Sequence, residues 1–149
     1  MTRAILFFYF IFSLGILLSG CVLMEGVAPK GFAQYDKGET FRAVSPSGVV
    51  YRVRKEANKP KADLAFWKEA LKNRMIDAGY AFVTEGSIQS QGQEGYLLEL
   101  AAPFGQLDYS YLIAIYVQDD EIYIAESVGE VSLLKKEREA IVEAMQKVR

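Results

Sequence analysis

The sequence predicts an α+β domain, a mostly antiparallel sheet with two amphipathic helices, arranged as an α/β/α or a two-layer sandwich. Three observations carry that prediction. Short connections of turn residues, Ser45-Pro46-Ser47-Gly48 and Asp119-Asp120, join apolar stretches of strand length, and such hairpins make antiparallel neighbours. Two longer stretches repeat their apolar residues at helical spacing. Tyr109–Val117 is apolar on both faces, as suits a central strand covered from both sides.

Taken from the N-terminus, the chain opens Met1-Thr2-Arg3, and Arg3 is the sole charge before Glu25. The run AILFFYFIFSLGILL, Ala4–Leu18, is apolar apart from Ser13 and the weakly polar Tyr9 and Gly15. A short positive start, an apolar run and small residues behind it make a secretory signal peptide over residues 1–20. No A-x-A-like site follows. Leu18-Ser19-Gly20-Cys21 stands there instead, and it resembles the lipobox of bacterial lipoproteins at all four positions. The resemblance implies cleavage before Cys21, diacylglycerol in thioether linkage on its sulfur, and often a further acyl chain on the new amino group. The competing reading is an uncleaved signal anchor: Ala4–Met24 holds 21 uncharged residues, roughly 30 Å as a helix and enough to span a bilayer.

On the lipobox reading the single cysteine is an attachment point, neither disulfide half, metal ligand nor nucleophile. Two or three acyl chains hold a protein firmly where one holds it marginally. In Gram-negative lipoproteins Asp after the cysteine favours inner-membrane retention. Val22 therefore implies the outer membrane, facing the periplasm, if the cell is Gram-negative. Residues 21–38 read as the lipidated N-terminus and a flexible tether, because Val22–Gly38 holds four glycines and prolines and no sustained period. Such a tether reaches about 20–25 Å. A single domain then spans 39–149.

Within that domain TFRAVS and GVVYRVR are strands. Pro46 at the first central position and Gly48 just after the turn give a type I turn with a glycine bulge, in a register where Arg42 faces Arg52 and Arg54 points the same way. KEANKPKAD is a polar loop. LAFWKEALKNRMIDAG sets Leu64, Trp67, Leu71, Met75 and Ala78 on one helical stripe, with Asp63 as N-cap and Gly79 as C-cap. Trp67, Leu71 and Met75 are expected to be buried against the sheet. Strands YAFVT, a weak SIQS, YLLELAA, YSYLIAIYVQ and EIYIAESV follow. The two-residue connection Asp119-Asp120 sets Tyr116 opposite Tyr123. EVSLLKKEREAIVEAMQKV is a second helix, with Val131, Leu134, Ile141, Met145 and Val148 at helical intervals and Arg138 interrupting them.

This order, with SPSGVVYRVR ahead of a Trp-bearing helix and GYAF after it, resembles the PsbP-like fold, which includes the extrinsic photosystem II protein and DcrB-like bacterial lipoproteins. The resemblance covers about Phe41–Val148 and lies in element order and spacing. It implies a small non-catalytic sandwich that docks on or supports membrane assemblies. Metal sites in some members use histidine, of which this chain has none, so no metal residue carries over. A cystatin-like or other α+β lipoprotein fold is the competing architecture.

Composition narrows the chemistry. Without histidine the chain lacks the commonest general base and zinc ligand. Ser132-Leu133-Leu134-Lys135 spells S-x-x-K, but the companion S-D-N and K-T-G motifs are absent, so it reads as an N-cap serine with a surface lysine. Asp119-Asp120-Glu121 offers too few oxygens for a calcium loop, and Gly92–Gly95, GQEG, lacks the context of a phosphate loop. Glu99 and Glu126 read as partners for arginines rather than as glycosidase carboxylates. Tyr96, Tyr109, Tyr111, Tyr116 and Tyr123 read as sheet packing. Loss of residues 1–20 removes Arg3 alone, leaving 16 Lys plus Arg against 19 Asp plus Glu, a net −3. That is not the profile of a nucleic-acid binder.

One constellation stands out. Arg42, Arg52 and Arg54 share a sheet face, and Lys55, Lys59 and Lys61 follow. Opposed like charges repel unless a carboxylate or an anion lies between them, so the three arginines splay into water, pair with strand carboxylates or hold an anion, with pairing to Glu99 or Glu126 the expected arrangement. The functional expectation is a non-enzymatic envelope lipoprotein without cofactor or metal. Anchored through Cys21, it would serve as an accessory or docking module for an envelope protein partner. The alternative is a binding lipoprotein that captures a small anionic ligand or lipid headgroup. A cavity lined by the three arginines favours the alternative; a flat apolar patch left by the helices favours docking.

Overall fold

The computed structural model describes residues 26–37, 40–104 and 107–148. The predicted leader, lipobox and Cys21 lie outside the described residues. Among those residues seven strands form one antiparallel sheet: β1 (Ala33–Lys37), β2 (Phe41–Val44), β3 (Val50–Ala57), β4 (Ala81–Ser90), β5 (Gln93–Phe104), β6 (Leu107–Val117) and β7 (Glu121–Glu130). Their order is β1-β2-β3-β7-β6-β5-β4. Helix α1 (Leu64–Asp77) joins β3 to β4, and α2 (Val131–Met145) follows β7.

The hairpin chemistry holds where it is predicted. Gly48 takes φ +91°, its N–H donates to the Ser45 carbonyl at 3.0 Å, and Arg42 faces Arg52. Tyr116 sits opposite Tyr123 across the β6–β7 turn. Two segments differ from expectation. YAFVT and SIQS are one strand, β4, with a register shift between Phe82 and Thr84. It turns into β5 through Gln91-Gly92, both at positive φ, the signature of a tight two-residue hairpin. The segment read as a tether contributes β1: Ala33 pairs with Val44 and Lys37 with Phe41, while Ala28 and Phe32 pack on the core. The ordered domain thus begins before residue 39. A five-residue edge strand is held by backbone pairing along one side and buries little, so it leaves no apolar period to read.

Side chains alternate across the sheet, and β6 divides them into two cores. Leu112, Ala114 and Tyr116 join Tyr51, Val53, Ala125 and the α2 residues Leu134, Ile141, Ala144 and Met145. Ile113 and Ile115 join Tyr96, Leu98, Leu100 and Ile122, under Trp67, Leu71 and Met75 of α1. The helices therefore lie on opposite faces, which selects the α/β/α arrangement over the two-layer one.

The two helices are not seated alike. In α2 four residues are fully buried, and the Tyr116 hydroxyl donates to the Met145 carbonyl at 2.8 Å. The ring of Tyr116 crosses Gly95, where a Cβ would lie 2.5 Å from it, so this strand position admits glycine only. The N-cap of α2 is Glu130 rather than Ser132: its carboxylate accepts from the Ser132 N–H at 2.9 Å. A carboxylate at the N-cap also meets the positive end of the helix dipole. Helix α1 is capped by Asp63, which accepts from Phe66 N–H at 2.9 Å, but none of its residues is fully buried. Trp67, Leu71 and Met75 face the sheet as predicted, yet remain half-buried, because α1 lies beside the neighbouring strands without cover on its far flank. Ala78 is the C-cap, exposed, and off the stripe. Gly79 and Tyr80 follow it, donating to the Ile76 and Met75 carbonyls, a Schellman closure.

What positions α1 is Asn58, in the loop read only as polar. It is 5% exposed. Its Nδ2 donates to the carbonyls of Ala62 and Gln118, both at 3.0 Å. Its Oδ1 accepts from Ala62 N–H at 3.1 Å and from Trp67 Nε1 at 2.7 Å. Its own N–H donates to Asp120 at 2.9 Å. One amide thus ties the β3–α1 loop, the first turn of α1 and the β6–β7 turn together. Asn58→Ala leaves several of these groups without partners and is expected to cost about 2–4 kcal/mol in chemical denaturation, with quenched or red-shifted Trp67 emission as α1 loosens. An unchanged midpoint would show that the clamp carries no stability.

Candidate functional site

The three arginines gather on the face that α1 covers. β3 places Arg52 opposite Glu126 and Arg54 opposite Ile124 of β7, and Arg42 lies alongside on β2. Glu126 is 6% exposed. Arg52 Nε donates to its Oε2 at 2.8 Å and Nη2 reinforces that contact. Arg54 approaches the same carboxylate at 3.3 Å, and also pairs with Glu56. The Tyr111 hydroxyl donates to Oε1 at 2.6 Å. Burial pushes the Glu126 carboxyl up, but the bonds from Tyr111 and Arg54 and the arginine charges outweigh it and hold the group below the usual carboxylate range. Burial, then the bond to Glu126, pushes the Tyr111 phenol up, so it stays a donor.

Pairing with a strand carboxylate is therefore the observed arrangement for Arg52 and Arg54, and Glu126 is the partner. Glu99 is on the opposite face, bonded to Arg138 of α2 at 3.2 Å. The lysines disperse. Lys55 pairs with Glu121 at 2.9 Å, Lys61 approaches Asp119 and Asp120 at the turn, and Lys59 stays on the arginine face. Four of the five strand tyrosines divide between the two cores, Tyr116 and Tyr123 in that of α2 and Tyr96 and Tyr111 in the other. GQEG is the β4–β5 turn and the start of β5. Among the described residues no group of three carboxylates or cysteines gathers to hold a metal, and no helix is long and apolar enough to cross a membrane.

Beside the ion-paired cluster the uncovered flank of α1 makes a trough of about 690 Å³. One wall is α1, with Trp67, Ala70, Leu71, Arg74 and Met75; the other is β3, with Arg52, Arg54 and Glu56. Beneath lie Ile113, Ile115, Ile122 and Ile124. A smaller hollow of about 350 Å³ adjoins it and shares Arg52, Tyr80, Tyr111 and Glu126, with Tyr35, Arg42 and Val128 at its far side. Trp67, Leu71 and Met75 are thus both core and wall, a double role that periodicity does not reveal. Arg74, seven residues past Trp67 and three past Leu71, flanks the same stripe, and a cation there is the signal that sequence reading passed over.

Removing Arg52 leaves Glu126 buried with fewer donors, so Arg52→Ala is expected to destabilise the domain by about 1–2 kcal/mol at neutral pH. The acid limb follows from the depressed Glu126 carboxyl. Its ionisation stabilises the fold above the unfolded-chain value of about 4.3, and that contribution is lost as pH falls through the lower folded value. Glu126→Gln should flatten the loss of stability below about pH 4.5, measured as denaturation midpoint against pH. An unchanged acid limb would show that Glu126 does not couple to folding.

No protein-family model matches the chain, and no curated protein matches it in sequence. Solved structures do resemble it. A protein of unknown function from Pseudomonas aeruginosa, PA94, superposes with TM-score 0.62 at 14% identity, over 79% of this chain and 96% of its own. The solution structure of cyanobacterial PsbP, CyanoP from Synechocystis sp. PCC 6803, superposes with TM-score 0.58 at 9% identity, over 83% of this chain and 84% of its own. At such identities the likeness is one of fold, and this chain shares the α+β fold of cyanobacterial PsbP.

Proposed function

We propose that this chain is a non-catalytic binding module held at a cell-envelope membrane through lipid on Cys21, and that the trough beside α1 is its ligand site. The observation that carries the reading is the trough itself: an apolar-floored cleft of about 690 Å³ walled by arginines, within the size range of small-molecule sites. Of the three arginines whose shared cavity would favour a binding function, Arg52 and Arg54 line the trough, both paired with Glu126, and Arg42 lines the adjoining hollow. The lipobox supports the anchor, and Val22 supports the outer membrane if the cell is Gram-negative. The absence of histidine and of any free cysteine after lipidation supports a role without catalysis.

A second reading, docking on an envelope protein, is favoured by the exposed apolar residues Ile76, Phe82 and Val83 where α1 passes into β4, and by the open outer edge of that ten-residue strand.

Two measurements test the proposal. Wild type should incorporate labelled palmitate and Cys21→Ala should not; equal labelling, or none in either, removes the anchor. Native mass spectrometry of the chain extracted from its membranes should show a bound small molecule beyond the covalent lipid, lost in Leu71→Glu. Recovery of one protein partner by crosslinking, abolished by Phe82→Asp with Val83→Asp, and no small molecule in the trough would put docking first.

A further inference from the structure

The charges around the trough are unequally committed. Arg52 and Arg54 are engaged by Glu126 and Glu56. Lys59 and Arg74 also line the trough, both are exposed, and among the described residues neither side chain has an ion pair or hydrogen bond. The lining carries four cations against two carboxylates, so an occupant with a negative end is favoured. Its body is constrained by a different feature. β3, β7 and β6 are interior strands, each hydrogen-bonded on both sides, and α1 satisfies its own backbone. The trough therefore has no open strand edge. A peptide lying in it would leave buried N–H and C=O groups unpaired, at roughly 1–3 kcal/mol each. An acyl chain has no such groups, and the apolar surface offered by Trp67, Leu71, Met75 and Ile124 suits one. From Trp67 to Arg74 the α1 wall runs about 10 Å, long enough for a methylene chain to lie along it with its end at a rim cation.

We propose that the trough takes a single-chain anionic amphiphile, a fatty acid or lysophospholipid, with its acyl chain between α1 and β3 and its charged head on Lys59 or Arg74. This rests on the reading of the trough as the binding site. The test uses the full chain in its native membranes and two photoreactive probes, a diazirine-bearing fatty acid and the uncharged alcohol with the same chain and diazirine. Adducts are mapped by mass spectrometry.

The acid is expected to label Trp67–Met75 and Ile122–Ile124, and excess decanoate should suppress that labelling. The Lys59→Ala, Arg74→Ala double variant should lower acid labelling about tenfold and leave alcohol labelling unchanged. Both residues are exposed, so an unaltered melting temperature is expected to accompany the loss. Equal labelling of wild type by alcohol and acid, a comparison that needs no variant, overturns the anionic assignment while the trough stands as a binding site. Suppression by inorganic phosphate with none by decanoate overturns the acyl chain instead, and would mark a headgroup site. If neither probe labels the trough, the amphiphile and the trough as ligand site fall together.

Discussion

A seven-stranded sheet has two faces to remove from water, and the described residues supply two helices with which to do it. The rest of the structure follows from how unequally they manage. Helix α2 seats itself deeply: Leu134, Ile141, Ala144 and Met145 disappear into the core, and Tyr116 and Ser90 donate to the carbonyls of Met145 and Val148. Helix α1 covers β5 and β6 and stops short of β3 and β2. A wholly apolar strip would expose a broad patch to water, and the β3 side of it is charged, with Arg52, Arg54 and Glu56 beside the isoleucine floor.

Charge on a sheet face brings its own constraint. Arg42 and Arg52 are cross-strand neighbours, and their repulsion needs a counter-charge. Glu126 supplies it from the next strand. Because it lies near the margin of α1, with Ile113 directly opposite, it is buried where a lone carboxylate would be costly. Two arginines and Tyr111 meet that cost. A buried ion pair of this kind contributes little net stability relative to an apolar substitute. What it does is fix side chains at the boundary between the covered and uncovered parts of the face, which is where the trough opens.

The same inequality makes α1 dependent on its ends. With no fully buried residue, the helix is placed by Asn58 at its start and by the Schellman closure into Tyr80 at its finish. An element held at its ends and half-buried along its length belongs to the low-stability part of a fold. In this domain that element is one wall of the candidate site, so ligand binding there and the seating of α1 are energetically linked.

Much of this was legible in the order of residues. Turn chemistry is local, so Pro46 and Gly48 determined the first hairpin and with it the meeting of Arg42 and Arg52. Periodicity is local too, and it marked both helices, the two-faced β6 and the α+β class. Lipidation at Cys21 rests on a four-residue pattern and lies outside the described residues. What the sequence could not determine was set by partners distant in the chain. β1 exists because β2 offers an edge. YAFVT and SIQS are one strand because β5 runs alongside both. Asn58 is a clamp only because the β6–β7 turn, some sixty residues on, brings the Gln118 and Asp120 carbonyls to it. Glu126 rather than Glu99 meets the strand arginines because side chains alternate: the strand pairing puts Glu126 on the face with Arg52 and turns Glu99 to α2. The apolar part of the trough has no sequence signature, since Trp67, Leu71 and Met75 show the same helical period whether they fill a core or wall a cleft.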